Sequence, residues 1–80
     1  MTYLTAAITV LQESGRPLTT SEIMAQITRR GLVPITGRTP EATLAAALYR
    51  NLGRHPQLRQ EAVRGPYRAV RGSVRWYVVS

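Results

Sequence analysis

The sequence predicts a mainly α-helical chain closed by a small β-hairpin, an α+β arrangement. Three observations predict it. Apolar residues recur at helical spacing in three separate segments before residue 53. Each segment is bounded by a capping residue at its start and by Gly or Pro at its end. The remainder changes to two β-prone runs, Leu58–Val63 and Val74–Val79, with Gly65-Pro66 and Gly72-Ser73 as turn signals between them.

Helix one is predicted over Tyr3–Glu13, where Leu4, Ala7, Ile8 and Leu11 share a face. Thr2 is its N-cap, Ser14-Gly15 ends it, and Pro17 prevents it from resuming. Pro17-Leu18-Thr19 is then a short extended link. Helix two starts at a Thr19-x-x-Glu22 capping box, in which hydroxyl and carboxylate each satisfy a free backbone N–H. Ile23, Met24 and Ile27 form its apolar stripe, Arg29 and Arg30 suit its negative dipole end, and Gly31 stops it. After a loop with Pro34 and Gly37, helix three opens on Thr39-Pro40-Glu41, read as N-cap, N1 proline and a carboxylate at the positive dipole end. Leu44, Ala47, Leu48 and Leu52 form its inner stripe, and Gly53 and Pro56 bracket its end. Tyr67–Val70 reads equally as a third short strand or as loop. Helix, short strand, helix, helix, strand, wing, strand is the order of a winged helix-turn-helix, with helix two, loop and helix three as the helix-turn-helix.

Eighty residues imply one domain spanning 1–80. Cysteine and phenylalanine are absent, so Leu, Ile, Val and Ala must build the core, with Trp76 and four tyrosines as the large rings. Trp76 is expected to face the core. Tyr49, Tyr67 and Tyr77 read either as half-buried packing or as exposed rings that stack on bases or hydrogen-bond phosphates. The first ten residues lack a basic head and an unbroken apolar run, and no stretch reaches the length of a membrane span. A cytoplasmic location is therefore expected.

Charge is the strongest global signal. Eleven basic residues, all arginine, face four glutamates for a net charge of +7. Such a balance attracts polyanions, and guanidinium forks suit phosphates and base edges. The charge is also uneven. Residues 38–80 carry eight arginines against two glutamates, a net of +6, whereas residues 1–37 carry three against two. Arg64, Arg68, Arg71 and Arg75 cluster in the wing, 64–75, without an acid among them. They are read as gripping the DNA backbone or entering the minor groove; the plainer alternative is a basic loop kept for solubility.

Helix three, 39–52, is the candidate recognition helix. Ala42, Thr43, Ala46, Tyr49 and Arg50 fall outward by helical angle, with Arg38 before the helix and Arg54 after it. Small residues let a helix approach the major groove closely, and Thr39 with the first N–H groups suits a phosphate. The expected DNA-contacting set is Arg38, Thr39, Thr43, Ala46, Arg50, Arg54, Arg64, Arg68, Arg71 and Arg75. Selectivity is expected to be weak or shape-based, since this face offers one Arg and one Thr and no Asn or Gln before Asn51. Outward alanines are also simply good helix formers, and an Ala/Tyr face equally fits a protein partner.

Catalysis finds no support. His55 is the only histidine, with no Cys or Asp in the chain, so neither a metal site nor a catalytic base is indicated. The glutamates are scattered, and there is no lysine for a phosphate loop. No enzyme activity, cofactor or metal is expected.

Leu18-Thr19, Glu22-Ile23, Gly31-Leu32, Thr39-Pro40, Thr43-Leu44 and Leu48-Tyr49, in this order and spacing, resemble the HARE-HTH winged-helix domains. Arg71-Gly72-Ser73-Val74-Arg75-Trp76 also resembles the wing of small bacterial winged-helix proteins near that family. The resemblance implies either DNA binding or docking onto transcription machinery, because such domains occur in chromatin-associated proteins, beside restriction endonuclease domains and in the delta subunit of bacterial RNA polymerase. This chain differs from the delta subunit in lacking an acidic tail, and its positive charge favours the DNA branch. The expectation is a double-stranded DNA-binding protein, transcription-related or nucleoid-associated, monomeric or weakly dimeric. The rival is an interaction module for RNA polymerase or another transcription protein. A weaker third reading is RNA or single-strand binding through the wing.

Overall fold

A computed structural model describes residues 2–34, 38–62 and 74–79. The elements run α1 (Tyr3–Ser14), β1 (Leu18–Thr19), α2 (Thr20–Arg30), α3 (Pro40–Asn51), β2 (Leu58–Ala62) and β3 (Val74–Val78). This is the α+β winged helix-turn-helix architecture that the patterning predicts. The segment that carries Arg64, Arg68 and Arg71, together with Tyr67–Val70, lies outside the described residues.

Local chemistry explains the helix boundaries. Thr2 and Thr19 both sit in extended backbone, and their hydroxyls accept the N–H of Thr5 and Glu22. In α2 the box is complete, because the Thr19 N–H donates to Glu22 Oε1 at 2.9 Å. Such a cap contributes about 1 kcal/mol. Both helices stop at a left-handed glycine, Gly15 (φ 66°) and Gly31 (φ 61°), a conformation that any Cβ would strain.

The start of α3 differs from the expectation. Thr39 makes no side-chain cap bond, and its backbone sits at φ −133°, ψ 64°, whereas the two working caps lie near ψ 164°. At this ψ the hydroxyl does not meet the first-turn N–H groups. Glu41 instead accepts a hydrogen bond from the Ser21 hydroxyl at 2.6 Å, tying the first turns of α2 and α3 together.

The sheet is antiparallel in the order β1-β3-β2. Trp76 on the central strand sits opposite Leu18 on one side and Gln60 on the other. Alternation along a strand then divides the residues. Trp76, Leu18 and Leu58 face the helices and are buried, joining Ala6, Ala7, Ile23, Ile27, Leu44 and Leu48 in one core. Arg75 lies on the opposite face, across from Thr19 and Glu61. An exposed ion pair between Arg30 and Glu13 links the ends of α2 and α1. No helix among the described residues is long and apolar enough to cross a membrane.

Candidate nucleic-acid interface

Helix α3 is amphipathic in the sense that matters for a groove. Leu44 and Leu48 are fully buried, while Ala42, Thr43, Ala46, Tyr49 and Arg50 are exposed. These positions recur at three- and four-residue intervals, so they form one outward stripe. Arg38 and Thr39 are exposed just before the helix. Arg54 is exposed just after it, in a turn whose N–H groups at Arg54 and His55 both bond to the Asn51 carbonyl. The fold therefore gathers Arg38, Thr39, Thr43, Ala46, Arg50 and Arg54 along one helix and its two ends.

The hydroxyls on this stripe are differently engaged. Thr43 donates its proton back to the Thr39 carbonyl at 3.2 Å, which leaves its oxygen free to accept. Thr39 keeps its hydroxyl out of the helix cap. Glu41 is the one carboxylate in the first turn of α3, and Ser21 holds it.

Arg75 stands apart from the α3 stripe. Its side chain leaves β3 on the sheet face turned away from the helices, with Glu61 opposite it in register. It also lies close enough to Glu22 to act on its ionisation. The Glu22 carboxyl is held below its ordinary value near 4.5, first by the Thr19 backbone N–H, then by the Thr19 hydroxyl and by the charges of Arg16 and Arg75. Arg75 thus adds its charge to the field at Glu22.

Patterning alone does not reveal the aromatic contact beneath the stripe. Tyr49 is 55% exposed, yet its ring meets Trp76 edge-to-face, with centroids 5.0 Å apart and planes at 81°. Trp76 is completely buried, and its indole N–H donates to the Thr20 hydroxyl at 3.1 Å. Helix α3, strand β3 and the first residue of α2 are therefore joined through one ring system. The alternation around Trp76 signals its burial, but neither partner can be read from local sequence.

No group of three His, Asp or Glu side chains gathers into a metal-binding cluster among the described residues. His55 is half-buried in the turn that leads into β2.

The comparisons with known proteins bear on the fold that carries this stripe. No curated protein and no solved structure matches the chain. One family does match, over residues 1–60: HARE-HTH, a helix-turn-helix domain whose description names ASXL and restriction endonucleases. The matched span takes in all three helices and the first part of β2, and stops short of Arg64, Arg68, Arg71 and Arg75. The chain belongs to the HARE-HTH family of winged helix-turn-helix, DNA-binding domains.

Proposed function

We propose that this protein binds double-stranded DNA, with the outward stripe of α3 in the major groove and the arginine-rich segment 64–75 on the backbone or in the minor groove. The observation that carries this reading is the stripe itself. A buried leucine seam turns small residues and Arg50 outward, and Arg38 and Arg54 stand exposed at the two ends. A helix of this kind fits the major groove of B-DNA, which is about 12 Å wide. Thr39, with its uncapped first turn, and Arg38 suit a phosphate at the helix start. Arg50 reaches a guanine edge or a phosphate. Arg64, Arg68 and Arg71 supply the wing's grip. Arg75 contributes less than Arg50, because it leaves β3 on the sheet face turned away from the helices.

Little on α3 reads bases, so binding is sequence-tolerant and shape-dependent. Such behaviour suits a nucleoid-associated or transcription-related protein without catalytic activity of its own. A protein-docking role on RNA polymerase or another transcription protein is less well supported. Among the described residues the large apolar side chains left exposed are Tyr49 and Val79, which do not make a contiguous patch of the size that marks a protein interface.

Titration of a labelled random-sequence duplex, followed by fluorescence anisotropy at low salt, tests this reading. Saturable binding, weakened when Arg50 or the pair Arg68 and Arg71 is changed to alanine, is the expected result. No binding by the wild-type chain overturns it.

A further inference from the structure

Tyr49 is the one large side chain on the outward stripe of α3 whose position is fixed from beneath. An exposed tyrosine usually samples several rotamers, and ordering it on a ligand costs about 0.5–1.5 kcal/mol. Here the ring meets Trp76 edge-to-face, and Trp76 is fully buried with its indole N–H held by Thr20. The contact favours this rotamer before any ligand arrives. Its hydroxyl makes no hydrogen bond among the described residues, and just over half of the side chain faces solvent. One helical turn separates it from Ala46 and places it beside Arg50.

From this geometry we infer that Tyr49 is a DNA-contact residue whose phenol donates a hydrogen bond to a backbone phosphate flanking the groove that α3 enters. The inference rests on the duplex-binding reading above and deepens it. The chemistry favours phosphate over a base edge. A phenol offers a single donor, whereas base discrimination needs paired donors and acceptors such as those of Asn, Gln or Arg. A phosphate oxygen is an ionised acceptor, and hydrogen bonds to charged groups are the stronger kind. Flanking Ala42 and Ala46 keep the helix close enough for a tyrosine to reach the groove wall. Tyr49 therefore adds affinity and fixes the depth of α3, without adding sequence preference.

The test uses Tyr49→Phe in the whole chain. Phenylalanine keeps the ring contact with Trp76 and removes only the hydroxyl. The expected result has three parts: a thermal midpoint equal to wild type, duplex binding weakened about tenfold, equivalent to about 1.4 kcal/mol, and an unchanged slope of log affinity against log salt. The slope stays because no cation is lost, whereas Arg50→Ala lowers it by about one phosphate. The tenfold loss is the same on AT-rich and GC-rich duplexes. Equal affinity of Tyr49→Phe and wild type overturns the inference while leaving the duplex-binding reading intact. A loss confined to one base composition also overturns it, because it assigns Tyr49 to a base edge. Failure of wild-type protein to bind duplex removes both readings together.

Discussion

Replacing Thr20 by valine isolates one hydrogen bond on which the core depends. Valine matches threonine in shape, so packing at the start of α2 is kept, but Trp76 Nε1 loses the hydroxyl that accepts from it at 3.1 Å. Trp76 is fully buried, so water does not replace that partner. An orphaned buried donor costs about 1–3 kcal/mol. The hydroxyl itself is only partly buried, which points to the lower part of that range, about 1–2 kcal/mol. For a domain of this size each kcal/mol moves the thermal midpoint by about 4–8 °C. Thr20→Val should therefore melt roughly 4–16 °C below wild type in a far-UV circular dichroism scan. Total stability for such a chain is about 4–12 kcal/mol, so the variant still folds. Thr20→Ser keeps the acceptor and should fall much less. In a Trp76→Phe background the donor is gone, and Thr20→Val should then cost little. The reasoning is refuted if Thr20→Val melts within about 1 °C of wild type, or if its cost is undiminished in the Trp76→Phe background.

Two further substitutions probe the site and its acid dependence. Ala46 is exposed at the middle of the α3 stripe, so Ala46→Glu should leave the folding stability unchanged within about 0.5 kcal/mol. Facing phosphates, its carboxylate should weaken duplex binding by about tenfold or more in an anisotropy titration, and undiminished affinity would place α3 outside the groove. Glu22 is held below its ordinary value near 4.5, chiefly by the Thr19 N–H. A depressed carboxylate contributes stability that is present above the unfolded-state value and is lost as pH falls through the folded-state value. Glu22→Gln preserves the capping box but not the charge, so it should melt below wild type at pH 7, and the gap should close in strong acid. A gap that persists there would mean that the charge is irrelevant to the cap.

The parts of this fold that local chemistry dictates were readable in the sequence. Leu44 and Leu48 lie on the stripe that helical spacing assigns to the core, and both are fully buried. Thr2, Thr19, Gly15 and Gly31 bound their helices as their residue types require. The outward set of α3, from Ala42 to Arg50, is exposed as the helical angle implies. Thr39 fails as a cap for a reason that composition does not carry. Its ψ of 64° lies far from the value near 164° that the two working caps share. Glu41 likewise meets Ser21 across 20 residues of chain, a contact that only the packing of α2 on α3 creates. The same limit hides the register that sets Trp76 opposite Leu18, and with it the Tyr49–Trp76–Thr20 linkage. The strand register also sets Arg75 across from Glu61, a pairing that local sequence does not give.

The salt dependence of duplex binding tests the central claim most directly. If α3 and the arginine-rich segment together contact about four to six phosphates, log affinity should fall with log salt at a slope of roughly −4 to −5. Changing Arg68 and Arg71 to alanine should flatten that slope by about two. A slope near zero, or no binding at the lowest salt, would contradict the account and leave the basic face of this winged helix without a nucleic-acid role.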